Sequence, residues 1–218
     1  RVRGVRKSRS RELPLRIAEL AKLYRYEGSG ELSGLVRVRS FCLADAHIIC
    51  ADKDQAASEI SMALDLIEHV SSVFGLTLGT DYSYRLSLGD RADDKKYYKN
   101  DTAWDEGEAM LREVLKNRGG AFVEATGEAA FYGPKIDIQM KDARGKENTA
   151  FTVQYDFCMP DRFNLTYIDK DGTEKRPVVV HRSSIGAIER VIAFLIEHYA
   201  GAFPTWLAPV QVVVLPVG

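Results

Sequence analysis

In this 218-residue chain, residues 35–49 set side chains of different chemistry at every second position. Arg37, Arg39, Phe41, Leu43, Asp45 and His47 would share one face of an extended strand. Val36, Val38, Ser40, Cys42, Ala44, Ala46 and Ile48 would share the other, which is small and mostly apolar. Upstream, Arg25 and Glu27 share a face of a shorter expected strand, 23–27, joined to the first by the Gly-rich loop 28–34. Packing alone rarely gathers cations, an aromatic ring, a carboxylate and an imidazole on one surface. This inventory suits a nucleotide: guanidinium forks match phosphate oxygens, and further polar groups remain on the same face.

A sheet is needed to hold such a face, and the rest of the chain reads as one. Asp52 with Gln55 three residues on reads as a capping box. Ile60, Ala63, Leu64, Ile67, Val70 and Phe74 then keep helical spacing up to Gly75. A strand is expected over 82–88 and a helix over 104–116, ending at Gly119-Gly120. Strands follow over 134–140, 148–157, 164–169 and 176–181, with Lys170-Asp171-Gly172 as a hairpin turn. A last helix is expected over 186–200, with Ile188, Val191, Ile192, Leu195 and Tyr199 on its apolar stripe. Runs of strands between helices, with hairpin signals, predict an α+β fold: an antiparallel β-sheet flanked by helices.

The polar faces repeat from strand to strand. Lys135, Asp137 and Gln139 oppose Ile136, Ile138 and Met140, while Thr152, Gln154 and Asp156 form another polar row. His181 ends a Val-rich strand, and Arg190 lies off the apolar stripe of the last helix. An ordinary half-solvated sheet also has one wet face, but Ser, Thr and Glu would dominate it rather than Arg, Tyr, Lys, Gln and His.

Composition narrows the class. Thirty basic and 31 acidic residues nearly cancel, so net charge argues neither for nor against a polyanionic partner. Three scattered cysteines do not make a disulfide scaffold and point to a reducing, cytoplasmic setting. No run approaches the ~18 apolar residues of a membrane span. Residues 1–11 carry six basic side chains and no acid, the pattern of a solvated end, a transit remnant or an RNA-contacting arm. Residues 210–215 read as an apolar strand after a linker containing Pro204 and Pro209, and such a strand needs partners. We therefore expect a piece of a longer protein.

Tyr24-Arg25-Tyr26-Glu27, the seven-residue loop, and Arg37 with Phe41 resemble motif 2 of class II aminoacyl-tRNA synthetases. Gly186-Ala187-Ile188-Glu189-Arg190 resembles motif 3. Further matches run in order along nearly the whole chain and resemble the threonyl-tRNA synthetases. They include Asp45-Ala46-His47-Ile48, Phe131-Tyr132-Gly133-Pro134-Lys135-Ile136, Val153-Gln154-Tyr155-Asp156-Phe157, Val180-His181-Arg182 and Phe203-Pro204-Thr205-Trp206.

The resemblance implies a threonine–tRNA ligase core that takes ATP with Mg2+, threonine and tRNA(Thr). It implies that Arg25, Lys135 and Arg190 are catalytic, and that Arg25, Glu27, Arg37, Phe41, Thr152, Gly186 and Arg190 bind ATP. Asp45, Tyr132 and Gln154 would meet the amino acid. His47 and His181 would ligate one Zn2+ per subunit, with a cysteine expected upstream of Arg1 as third ligand. It further implies a catalytic core over 1–202 and, over 203–218, a linker and the start of an anticodon-binding domain. The full-length protein would be a homodimer, through a motif 1 helix missing from this chain, with no membrane association. Leu43, Thr149 and Ala187 depart from the family pattern, which has glutamine, glutamine and serine at these places. They favour the alternative of a catalytically impaired paralogue that binds ATP or RNA. A class II ligase for serine or proline is a further alternative, with which the two histidines disagree.

Overall fold

A computed structural model describes residues 8–218. Its elements are β1 (Leu15–Tyr24), β2 (Ser40–Cys50), α1 (Lys53–Val73), β3 (Tyr82–Leu88), α2 (Asp101–Asn117), β4 (Phe122–Thr126) and β5 (Lys135–Lys141). β6 (Glu147–Asp156), the single turn α3 (Met159–Arg162), β7 (Tyr167–Ile168), β8 (Glu174–Lys175), β9 (Val178–Ala187) and α4 (Ile188–His198) complete the chain. Seven strands form one sheet in the order β1-β2-β9-β6-β5-β3-β4. All neighbours run antiparallel except β3 and β4, which are parallel and connected through α2. A parallel pair needs such a crossover. The α+β expectation therefore holds, with one parallel edge.

One face of the sheet is dry. Ile48 and Cys50 of β2, Val180 of β9, Phe151, Val153 and Tyr155 of β6, and Ile136, Ile138 and Met140 of β5 pack there against Ile60, Leu64 and Ile67 of α1 and Leu111 and Leu115 of α2. Asp52 caps α1, its Oδ1 accepting from the Gln55 amide at 2.8 Å, and the Gln55 Oε1 accepts from the Ala51 amide. Arg16 of β1 reaches the buried Glu59 of α1 with two hydrogen bonds of 2.7 and 2.6 Å, tying the edge strand to the helix. No described helix is long and apolar enough to cross a membrane, and Cys42, Cys50 and Cys158 are free thiols.

Several boundaries differ from the sequence reading. The opening hairpin pairs Leu15 with Ile49 through Tyr24 with Ser40, so its first strand lies upstream of 23–27 and its second begins at Ser40 rather than Leu35. Residues 25–39 form an irregular loop with a 3-10 turn at Ser29–Glu31. Gly186 lies in β9 rather than at a helix start; its φ is +71° and a Cβ there would meet the Ala150 oxygen at 2.2 Å. β7 and β8 form a two-residue hairpin around the expected Gly172 turn, and β9 starts afresh at Val178. Ile192, expected on the apolar stripe, is exposed. Residues 210–215 have no regular structure and no strand partner among the described residues. The basic run at the start lies mainly in residues 1–7, outside the described residues.

Candidate active site

Register alone lines up the centre of the wet face. Lys135 of β5 pairs with Gln154 of β6, Gln154 with His181 of β9, and His181 with His47 of β2. Directly opposed residues in antiparallel strands point the same way, about 5 Å apart. Four strands thus present an ammonium, an amide and two imidazoles in a row. The β2–β9 register then breaks: Ala44 pairs with Gly186 but Ala46 with Arg182, leaving extra residues on β9 opposite Asp45. Ser183 mends the ladder, its Oγ donating to the Ala44 carbonyl at 2.6 Å. Such bulges re-aim side chains, and this one separates the histidine row from the Leu43–Ala187 pair beyond it.

Above this face opens a cleft of about 440 Å³. Every residue to which the family resemblance gave a site role lines it: Arg25, Glu27, Arg37, Phe41, Asp45, His47, Tyr132, Lys135, Thr152, Gln154, His181, Gly186 and Arg190; Arg39, Asp137, Gln139 and Asp156 of the polar faces do not. Arg25, Glu27 and Arg37 do so from the loop between β1 and β2, not from strands. Arg182 is an additional cation of the wall; it stood beside His181 in the sequence but its role was not legible there. The departures Leu43, Thr149 and Ala187 also line the cleft, and Leu43 and Ala187 are direct cross-strand partners.

At one end the His47 and His181 rings meet edge to face with centroids 4.7 Å apart. The fully buried Asp156 accepts from His181 Nε2 through Oδ2 at 2.8 Å, while its Oδ1 takes the amides of Cys158 and Met159. A carboxylate behind a histidine is the usual support of a metal ligand, and sequence reading had placed Asp156 on a polar face without that role. Asp45 Oδ2 stands 3.9 Å from His47 Nε2. Tyr132 donates to Gln154 Oε1, and its ring lies 5.1 Å from that of His181. Burial, with Asp156 and Asp45 nearby, pushes the Tyr132 hydroxyl up to about 12, so it stays a donor. Two imidazoles suit zinc, which prefers nitrogen and sulfur donors. Among the described residues, however, no three His, Cys, Asp or Glu side chains converge as a metal cluster. The two histidines stand together without a third such side chain of the described residues converging with them.

At the other end the groups are cationic. Arg190 of α4 donates to the carbonyls of Val36 (3.0 Å) and Thr149 (2.7 Å). Burial, with Arg25 and Arg37 close by, pulls its guanidinium below its ordinary value. Arg25 sits over the Phe41 ring, 5.1 Å from the centroid. Glu27 pairs with Arg37 at 3.0 Å. Glu189, at the start of α4, takes the Cys42 amide on both carboxylate oxygens (3.0 and 2.9 Å), where β2 has run past its β9 partner. Nothing in the sequence pattern marked Glu189 for this.

Residues 2–199 match the family described as tRNA synthetase class II core domain (G, H, P, S and T). The chain belongs to that family. Among similar proteins, the threonine–tRNA ligase of Anoxybacillus flavithermus is 54% identical over 207 residues, covering 95% of this chain and 32% of the relative. Threonine–tRNA ligase 1 of Bacillus subtilis is 53% identical with the same coverage of each. The crystal structure of the RNA binding domain of threonyl-tRNA synthetase from Cryptosporidium parvum superposes with a TM-score of 0.83 at 38% identity, over 93% of this chain and 49% of that one. The chain thus spans about a third of the length of the curated relatives it matches. In this class II core, the row from Lys135 to His47 and the cations from Arg25 to Arg190 are two ends of one cleft.

Proposed function

We propose that this chain is the catalytic core of a cytoplasmic threonine–tRNA ligase, activating threonine with ATP and Mg2+ and passing it to tRNA(Thr). The observation that carries the reading is the arrangement of the cleft, an imidazole pair at one end and arginines around an aromatic ring at the other. The identity to threonine–tRNA ligases supports it. Activation is an in-line attack of the amino-acid carboxylate on the α-phosphate. The carboxylate oxygen–phosphorus bond forms, the bond to the bridging oxygen breaks, and pyrophosphate leaves with the electron pair. No protein nucleophile takes part, so the side chains work by positioning and by charge stabilisation.

In this reading Arg25 leaves the Phe41 ring to fork onto the α-phosphate, and the ring is freed to stack on the base, with Glu27 at the base edge. Arg37 and Arg190 hold the outer phosphates, with Thr152 and Gly186 lining the nucleotide site and Lys135 near the reacting centre. Asp45 accepts a hydrogen bond from the amino acid, and Tyr132 and Gln154 wall its pocket. His47 and His181 would hold zinc with a cysteine upstream of Arg1. The metal supplies ligation of the substrate amine and hydroxyl. Such ligation is what separates threonine from valine, because an apolar pocket discriminates a hydroxyl from a methyl poorly. Residues 203–218 belong, in the same proposal, to the linker and beginning of an anticodon-binding domain, and the full-length enzyme is a homodimer.

Amino-acid-dependent ATP–pyrophosphate exchange by the full-length protein containing this chain tests the reading. Exchange that requires threonine is expected. Exchange with serine or proline alone, or ATP binding without exchange for any amino acid, would overturn it.

A further inference from the structure

Lys135 reaches the cleft, but the group that aims it does not. Lys135 and Asp137 sit two residues apart on β5 and so share a face. The ammonium is held by both carboxylate oxygens, at 2.9 Å to Oδ1 and 2.7 Å to Oδ2. Asp137 is fully buried and absent from the cleft wall. β3 supplies the rest of its shell: Arg85 Nη2 donates to Oδ2 at 2.9 Å and the buried Ser87 Oγ at 2.7 Å. Register sets this up, since Arg85 pairs with Asp137 and Ser87 with Lys135.

The charges matter as much as the bonds. Asp137 carries one negative charge between two cations, so the inner trio of Lys135, Asp137 and Arg85 stays net positive, the further carboxylate of Glu128 being exposed to solvent, and Lys135 keeps its pull on an anion in the cleft. Beyond Asp137, Arg85 Nη2 donates to Thr149 Oγ1 at 3.5 Å and stands 3.7 Å from Glu128 at the exposed rim, while its Nε is buried without a partner. A buried ion cluster adds little net stability compared with apolar packing. What it does provide is a fixed geometry for a flexible lysine stem, whose freedom would otherwise be lost when ligand binds.

We propose that Asp137 is a positioning residue for Lys135: Arg85 and Ser87 lock its carboxylate, the carboxylate aims the ammonium into the cleft, and Arg85 keeps the pair net positive. The proposal rests on the ligase reading, in which Lys135 acts near the reacting centre.

A double-mutant cycle in threonine-dependent exchange by the full-length protein tests it. Asp137→Asn is expected to lower kcat by about tenfold or more, with the KM for ATP changed less than about threefold, as for a group acting in the transition state. In a Lys135→Met background the same change is expected to do nothing further. A loss that adds to that of Lys135→Met, or kcat within about twofold of the parent, overturns the proposal. Should Asp137→Asn not fold, Ser87→Ala removes one of the bonds on the carboxylate without changing charge. A loss of about threefold is expected, again absent in Lys135→Met; no loss, or one that persists there, overturns the proposal. Absence of exchange in the parent protein would count against the ligase reading itself. The same cycle, read on ATP affinity by calorimetry, then decides the positioning role: non-additive losses support it, and additive losses or none overturn it.

Discussion

The two ends of the cleft are built differently. At the His47–His181 end His47, Gln154 and His181 stand on strands and Tyr132 on the turn before β5, and the groups are already tied: His181 to Asp156, Tyr132 to Gln154, and His47 to its place by register with His181. At the Arg25–Arg190 end the groups come from an irregular loop and a helix start. Their present partners are ones a ligand would replace or share: Arg25 covers Phe41, Arg37 holds Glu27, and Arg190 holds two backbone carbonyls. In the proposed function the first end is preorganised and selects by geometry, whereas the second has to rearrange and contributes by charge. The same sheet serves both, because a register fixes side chains on strands, whereas residues 25–39 are held by local turns, a short Ser33–Arg37 bridge, the Arg37–Glu27 pair and the Arg190 bond to Val36.

The comparison breaks first where its largest effect is expected. His47→Ala or His181→Ala should abolish threonine-dependent exchange while leaving ATP binding by calorimetry within about twofold of the parent, since neither imidazole belongs to the cationic end. Metal analysis of the full-length protein should show zinc lost with either change. Unchanged metal and activity would remove the ligand assignment, and a matching loss of ATP affinity would erase the division into two ends. At the other end, Arg25→Ala should lower exchange by about 10²–10³-fold, ~3–4 kcal/mol of lost charge stabilisation, with the zinc content untouched. Near-normal exchange would mean that Arg25 does not leave the Phe41 ring for the phosphate.

The same contrast explains what was legible in the sequence. Alternation placed Phe41, Asp45 and His47 on one face, and the 82–88 strand and the Asp52 cap were read to the residue, because periodicity and capping are local signals. β1 was not read: Ile17-Ala18-Glu19-Leu20-Ala21-Lys22 consists largely of good helix formers, and only its ten-residue pairing with β2 makes it a strand. β4 was missed because it is short, largely exposed and parallel to β3 through a helix, so nothing local marks it. Arg25, Glu27 and Arg37 line the cleft from a loop rather than from the strands expected, since a period-2 pattern continues on paper beyond the point where the ladder ends. Asp156 and Glu189 needed the third dimension: each serves a group far away in sequence, His181 and the Cys42 amide. The pairing of Leu43 with Ala187 is likewise a matter of register, and it turns two separate departures from the family pattern into one local patch of the wall.

Tyr132 gives the finest test of the preorganised end. Its hydroxyl is held up to about 12, first by burial and then by the charges of Asp156 and Asp45, against an ordinary value of 10.0. The folded protein therefore binds this proton more tightly than the unfolded chain does. Its contribution to stability is whole below about pH 10 and is lost as the pH climbs through about 12. Tyr132→Phe should remove one of the late-titrating tyrosinates from the alkaline absorbance titration and leave those titrating near pH 10 unchanged. It should also flatten the fall in urea midpoint between pH 10 and 12. In exchange, the loss of one hydrogen bond to Gln154 should cost about tenfold or less, with the pH dependence between 7 and 10 unaltered, because the hydroxyl is a neutral donor throughout that range. A tyrosinate forming near pH 10 at this position would instead mean that the end of the cleft is open to water, and that the histidine row is no better organised in advance than the arginines opposite.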